Sequence, residues 1–370
     1  MIFLHLQVSL NLLLDASTCG AISFHSYIIY VQKLEVLFCA FCGILPQKKD
    51  VFTMCTAIVY RGQDSYFGRN LDLHFHYNEA VTITPRKYPF PWDSLYAMIG
   101  IATVNKGYPL YYDAVNEMGL AMAGLNFPEI CYYPPICKSK ECLAPYEFIP
   151  WVLSRFSSAK EALQAIRRIR LADIPFSKDF PNTPLHFILC DADACYTIEP
   201  TRKGLHIYEN PVGVLTNSPD FPYHLYNLSN YQNLSSTQAE NRLCPALSLP
   251  PYSNGMGAFG LPGDLSSSSR FVKAAFTLQN ALKKETEVDA VNQCFHILGA
   301  VAQQEGCVKV GNQWEKTVYA SCCNIDRAIY YYTTYENRQI TAVHLYHEEL
   351  NEKDLITYPL CFTSQIRTEN

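Results

Sequence analysis

A cysteine stands directly behind a methionine in VFTMCTAIVY (residues 51–60), more than fifty residues into the chain. The pair matters because of what trimming would do. If Met54 is a start residue that is removed, Cys55 carries a thiol and a free α-amine on one residue. The thiolate is the nucleophilic form of cysteine, and a free thiol has a pKa of about 8.5. An α-amine with a pKa of about 7.7–8.0 is partly neutral at physiological pH and can take the thiol proton. The same logic lets an N-terminal threonine act with its own amine. Removal of Met54 requires a small following side chain, and Cys55 meets that condition.

Downstream, FGRNLD supplies Arg69 and Asp72. A hairpin between the two segments would return Arg69 beside the thiol, where a permanent guanidinium charge favours the thiolate. Asp72 would then be placed to orient the α-ammonium. The same two residues could equally form a surface ion pair, worth about 0–1 kcal/mol. Asn126 in AGLNFP and Asn217 in LTNSP each follow an apolar strand and precede a proline-containing turn. A strand-end amide can face a developing oxyanion, or it can close an Asx-turn.

The elements that must position these residues read as strands at both ends of the chain with helices between. MCTAIVYRGQDSYFGRNLDLHF reads strand, turn, strand, and EAVTITPRKY reads as an alternating strand. Strand patterns continue through YAMIGIATV, YPLYYDAVNEMGLAMAGLNF and LHFILCDADACYTIEPTRKGLHIYE. PYEFIPWVLSRFSSAKEALQAIRRIR predicts two amphipathic helices, the second capped by Ser157 or Ser158. SRFVKAAFTLQNALKK and DAVNQCFHILGAVAQQ carry helical spacing as well. This is an α+β pattern, antiparallel sheet covered by helices. No internal repeat or long linker divides it, so residues 54–370 are expected to form one domain. The Gly/Pro/Ser-rich stretch 249–270 runs as a loop into a helix that opens near Arg270; its GLPGD lacks the Walker lysine pattern.

Composition narrows the function classes. Of 370 residues, 49% are hydrophobic and 17% charged, which suffices for a core, and the net charge of -5 leaves no basic surface for nucleic acid. The 15 cysteines form no disulfide framework in a chain this long; most are expected to be buried small hydrophobes in a reducing cytoplasm. CAFC (Cys39, Cys42) is a lone pair, and Cys137 and Cys142 have no histidine-bearing partner motif, so zinc is not expected. Residues 1–53 differ from the rest. Their apolar runs are interrupted or too short to span a bilayer, no basic residue precedes Lys33, and no small-x-small cleavage site precedes Cys55. The segment is expected to be a leader outside the fold, either translated from a mis-assigned start or removed as a propeptide, with a signal or anchor as the remaining reading.

MCTAIVY, YFGRNLD, ITPRKY, NEMGLAMAGLNFP, VLTNSPDF and GLPGDLSSSSRF follow one another in order. Together they resemble the choloylglycine hydrolases, the family of bile salt hydrolases and penicillin V acylases among the N-terminal-nucleophile hydrolases. The resemblance runs from Met54 to about Tyr346. It implies a four-layer αββα sandwich of two packed antiparallel sheets. It implies Cys55 as the nucleophile whose amine is the base, with Arg69 and Asp72 tuning the thiol and anchoring the amine. Asn217 and Asn126 match the oxyanion positions, and Arg270 matches a distal supporting arginine. No metal or organic cofactor is implied.

The implied reaction is hydrolysis of a secondary amide through a thioester. Asn126 is the residue typical of bile salt hydrolases, where many penicillin V acylases carry tyrosine. The expected substrate is therefore a glycine- or taurine-conjugated bile salt. Loops around Phe75–Tyr77, Phe127–Ile136 and Ile174–Phe180 are candidate walls, with Phe75, Tyr77, Phe127, Ile136, Ile174 and Phe176 as contact residues. Penicillin V or another N-acyl amide, such as an N-acyl homoserine lactone, is the alternative substrate. A bacterial cytoplasmic homotetramer with no nucleic-acid or membrane partner is the expected setting. A non-enzymatic alternative, a membrane-tethered binding protein, applies if residues 1–53 stay attached and block the amine.

Overall fold

The computed structural model of the chain describes residues 54–370. The expectations for the leader and for Cys39 and Cys42 lie outside the described residues.

The expected hairpin is present. β1 (Met54–Arg61) and β2 (Ser65–Leu73) pair antiparallel from Met54↔Asp72 to Arg61↔Ser65, around the short turn between them. The strands that follow are β3 (Ala80–Thr84), β4 (Met98–Asn105), β5 (Tyr108–Asn116) and β6 (Ala121–Asn126). Next come β7 (Cys142–Leu143), β8 (Arg170–Leu171), β9 (Leu185–Cys190), β10 (Cys195–Thr201), β11 (Gly204–Glu209) and β12 (Val214–Leu215). The C-terminal group is β13 (Val308–Val310), β14 (Gln313–Asn324), β15 (Ile329–Thr334), β16 (Thr341–His344) and β17 (Ile356–Pro359). The helices are α1 (Phe148–Leu153), α2 (Ala159–Ile166), α3 (Phe221–Asn227), α4 (Ser267–Asn280) and α5 (Glu287–Gly299).

Apart from β7 and β8, which pair parallel with each other, these strands build two large antiparallel sheets. One has the order β12-β1-β2-β14-β15-β16, with β13 on the start of β14; the other runs β11-β10-β9-β6-β5-β4-β3-β17. Side chains alternate faces along a strand, and the alternation sorts the core into layers. From the second sheet, Ile99, Ile101, Val115, Ala121, Ala123 and Leu125 join the cluster shared with the first sheet. Met98, Ala102, Ala114, Met122, Phe187 and Leu189 join the cluster around α1 and α2. The first sheet uses its outer face for α4 and α5, whose Phe271, Ala274, Cys294 and Leu298 pack into the same core. The result is helix, sheet, sheet, helix, an αββα sandwich.

Both faces of each sheet are covered, and this explains two departures from the sequence pattern. In β3 every residue after Ala80 is buried, so the expected one-sided alternation gives way to a strand enclosed on both faces. All six residues of α1 are buried, so it is an embedded turn of helix, not an amphipathic one. α2 fits its pattern, with Ser158 as cap accepting from the Glu161 N–H. Ser266 and Thr286 cap α4 and α5 in the same way. Of the twelve described cysteines, six are buried, five are half-buried and Cys307 is exposed; none is in a disulfide. Half of them, not most, are thus core residues. No helix among the described residues is long and apolar enough to cross a membrane.

Candidate active site

Alternation along β1 and β2 decides which way each polar residue faces. Cys55 and Arg69 point between the sheets, while Thr56, Asn70 and Asp72 point toward the helices. Arg69 accordingly reaches across to β5, donating to the Tyr112 carbonyl and lying 3.8 Å from the Asp113 carboxylate. Asn70 donates to the Leu298 carbonyl at the end of α5, 2.9 Å away.

The Arg69 Nη2 donates to the Cys55 sulfur at 3.1 Å. Both side chains are buried, Cys55 with 2% exposure. A permanent cation therefore sits where a sulfur anion develops. Burial works against the Arg69 charge, but Tyr319, Cys55 and Asp113 together raise its pKa above the ordinary arginine value. Asp113 is the buried counter-ion. It accepts from Tyr319 at 2.7 Å, from Ser321 at 3.3 Å and from Tyr330. Burial raises the Asp113 pKa, and Arg69 with these three hydroxyls opposes the rise.

The Cys55 nitrogen faces a second cluster. It donates to the Asn217 Oδ1 at 2.9 Å. Arg270 Nη2 donates to the same oxygen at 2.7 Å, while Arg270 Nη1 donates to the Cys55 carbonyl and to Thr56 Oγ1. Asn217 Nδ2 donates to the Asn126 carbonyl at 2.8 Å, which leaves one N–H of that amide for a ligand. Asn217 is itself held from three directions. Its backbone N–H donates to Ser267 Oγ at 2.9 Å, its carbonyl accepts from His224 Nε2 at 2.9 Å, and it follows Thr216, whose carbonyl is 2.9 Å from His186 Nε2. Burial lowers the His224 pKa to about 4, so this imidazole is neutral and its Nε2–H is the donor.

Asp72 lies on the helix side of the same strand. Thr317 Oγ1 donates to its Oδ1 at 2.7 Å, and its Oδ2 has no partner among the described residues. Burial pushes the Asp72 carboxyl up to about 6 against the pull of Arg270, Thr317 and Arg69. Arg270 is buried too, not exposed on its helix, and burial lowers its pKa while Asp72, Cys55 and Glu315 raise it.

The structure thus brings Cys55, Arg69, Asp72, Asn126, Asn217 and Arg270 into one buried network at the open end of β1. Sequence reasoning missed Asp113, Thr317, Ser267 and Glu315. Asp113 and Glu315 each left a faint signal, a carboxylate at an inward position of an aromatic-rich strand (YYDAV, QWEKTVY) that needs a buried partner.

The expected wall residues divide. Phe75 and Tyr77 follow β2, are exposed, and pack against one another at a tilt with centroids 4.3 Å apart. Ile136 is 65% exposed. Ile174 and Phe176 are half-buried, and Phe176 packs against Tyr108, Tyr146 and Phe180. Phe127 does not fit the expectation. Its ring is fully buried and stacked on His186 at 4.3 Å, so it supports the Thr216–Asn217 segment and offers no surface to a ligand.

Comparison with known proteins places this geometry. The model of the linear amide C-N hydrolases, choloylglycine hydrolase family, matches residues 55–358. A bile salt hydrolase/transferase of Lactiplantibacillus plantarum is 49% identical over 86% of this chain and the whole of that protein. A bile salt hydrolase/transferase of Clostridium perfringens is 35% identical over the same share of each. The crystal structure of a conjugated bile acid hydrolase variant from Clostridium perfringens superposes with a TM-score of 0.80 at 33% identity, over 85% of this chain and 100% of that one. Penicillin V acylase from Agrobacterium tumefaciens shares the fold, with a TM-score of 0.65 at 20% identity, over 82% of this chain and 90% of that one. With its sandwich of two sheets and its cysteine at the mouth of the first strand, the chain belongs to the choloylglycine hydrolase family of linear amide C–N hydrolases.

Proposed function

We propose that this enzyme hydrolyses the amide bond of glycine- and taurine-conjugated bile salts, through a thioester at Cys55 as the first residue of the mature chain. The observation that carries this reading is that one residue presents both atoms of a nucleophile–base pair to one polar site. Its sulfur lies 3.1 Å from Arg69, and its nitrogen lies 2.9 Å from Asn217 Oδ1. The curated relatives named above support the substrate class, and Asn126 at the end of β6 agrees with it.

The steps follow from the geometry. The neutral α-amine of Cys55 takes the thiol proton, and the sulfur attacks the acyl carbon. The free N–H of the Asn217 amide meets the developing oxyanion, with Asn126 beside it. The ammonium then protonates the departing nitrogen of glycine or taurine. Water gives its proton to the same amine and cleaves the thioester, releasing the bile acid. Arg69 balances the sulfur charge. Arg270 fixes the Cys55 carbonyl and the Asn217 oxygen, so the terminal residue cannot turn away.

The reading includes residues 54–370 as the folded unit, with everything before Cys55 absent from the active form. It also includes a homotetramer in the bacterial cytoplasm, which light scattering on purified protein measures directly. The decisive experiment pairs intact mass with released amine, using glycocholate, taurocholate and penicillin V. Active protein should have a mass beginning at Cys55 and release glycine or taurine faster than it cleaves the side-chain amide of penicillin V. Active protein with a peptide bond still on the Cys55 nitrogen would end the proposal, and cleavage of penicillin V alone would replace its substrate.

A further inference from the structure

Glu315 is a buried acid that the reaction described above does not use. In β14 its neighbours Trp314 and Lys316 turn outward, so alternation turns Glu315 to the helix side together with Thr317. Thr317 is the residue that bonds Asp72. Glu315 therefore lies on the face that holds Asp72 and Arg270, two residues and about 7 Å along the strand. It has 0% exposure, and neither carboxylate oxygen has a hydrogen-bond partner among the described residues. A buried carboxylate without donors is costly, and its presence calls for a missing partner.

Other polar atoms on this face are unpaired too. Among the described residues Asp72 Oδ2 has no partner, and neither has the side-chain amide of Gln303, whose backbone is tied to Thr317 in both directions. Arg270 is the cation that faces both Glu315 and Asp72, yet its bonds run elsewhere. They go to the Leu265 carbonyl, the Cys55 carbonyl, Thr56 and Asn217. It acts on the two acids through space only. The remaining group that eases the Glu315 charge is the backbone amide of Met54, the residue that maturation removes. With Met54 in place, burial and Asp72 push the Glu315 carboxyl up to about 8. Two acids then share one occupied cation.

We propose that Glu315 is a positioning residue for the Cys55 amine, forming with Asp72 a two-carboxylate cradle that receives the ammonium created when Met54 leaves. This rests on the reading of Cys55 as the mature terminus. Loss of Met54 removes that amide and supplies three N–H groups and a positive charge one residue further along β1. That change supplies what the unpartnered acids lack. One ammonium N–H keeps Asn217 Oδ1, and the others turn toward the carboxylates. The amine is thereby aimed at the thiol and held charged to a higher pH.

The test is the pH profile of kcat/KM for taurocholate in E315Q, which keeps size and polarity and removes the charge. Asp72 and Arg270 remain facing the amine in this variant, from β2 and α4. Removing a nearby anion disfavours the ammonium, so the acidic limb should move down by about one pH unit. kcat should fall about tenfold with KM changed by less than about threefold. E315D, one methylene shorter, should restore part of both. Intact mass is measured on every sample. An E315Q protein that begins at Cys55 and has the wild-type limb overturns the inference and leaves the hydrolase reading standing. So does a uniform loss at all pH values with an unmoved limb, which is what a merely structural role gives. Active wild-type protein that retains Met54 defeats the underlying reading instead. If E315Q does not fold, E315M, apolar and of similar length, carries the decision, and a limb coincident with wild type overturns the proposal.

Discussion

Arg69 serves two buried groups at once, the Cys55 sulfur and the Asp113 carboxylate. Its removal has a cost beyond catalysis. R69A leaves Asp113 buried without its cation, a loss of about 3–5 kcal/mol for a broken buried pair. Thermal denaturation should show that loss, and iodoacetamide should label Cys55 more slowly in the N-terminal peptide. R69K keeps a charge but not the fork that reaches both sites, so it should fold better than R69A and remain slow. Asn217 serves three partners through one amide. N217A should lower kcat by about two to three orders of magnitude, as for an oxyanion donor. Size-exclusion and melting curves would separate that from misfolding. The hairpin motif brought Cys55, Arg69 and Asp72 into view, while the choice of all six, with Asn126, Asn217 and Arg270, came from the family resemblance, because each alone fits an ordinary surface or turn role. Asp113 and Glu315 were not legible, because their partners lie on strands far away in sequence. Phe127 was misread as a wall because an aromatic beside a functional asparagine looks the same whether it faces the pocket or the core.

Between elements, the close approach of β4 and β5 sets where Asp113 can sit. A Cβ at Gly100 would lie 2.0 Å from the Asp113 carbonyl oxygen and 2.5 Å from the Ala114 Cα. G100A should force these strands apart and cost about 3 kcal/mol, with the melting point falling together with activity. α3 makes a second prediction through His224. Its pKa is about 4 in the fold against 6.5 for the free side chain, so the unfolded chain takes up a proton first as pH falls. Its contribution is complete above about pH 6.5 and is lost toward pH 4, up to about 3 kcal/mol in all. The raised carboxyls of Asp72 and Glu315 act in the opposite sense, stabilising at low pH and losing that contribution as pH rises through about 6 and about 8. The difference between wild type and H224Q isolates the histidine. Denaturant midpoints from pH 4 to 7 should slope less in H224Q. The β1–β2 hairpin was legible from its turn residues, α2 from its serine cap, and α4 and α5 from helical spacing alone. The burial of α1 on all sides was not, since six apolar-rich residues fit either an amphipathic or an enclosed helix.

For the whole molecule, the α+β composition was legible, while the layering was not. A period of two tells which residues share a face, but not that both faces of both sheets are covered. Nor does it tell that β6 lies between β5 and β9, or that β17 closes the second sheet beside β3. The family resemblance supplied that architecture. At this scale the prediction concerns the upstream segment. A gene beginning at Met54 should yield protein with a mass from Cys55 and full bile-salt turnover. Protein that retains any residue before Cys55 should fold and lack turnover, because the network of Arg69, Arg270 and Asn217 is already assembled around an acylated nitrogen.

The zipping of β1 onto β2 as far as Met54↔Asp72, with Cys55 only 2% exposed, fixes a chronology. A peptidase must draw an extended segment into its own cleft, and the Met54–Cys55 bond is withdrawn once that strand has docked. If Cys55 is the mature terminus, as proposed, its release by an outside enzyme would therefore have to precede the docking of β1. A molecule that folds uncut has missed its chance, whatever peptidase it meets afterwards.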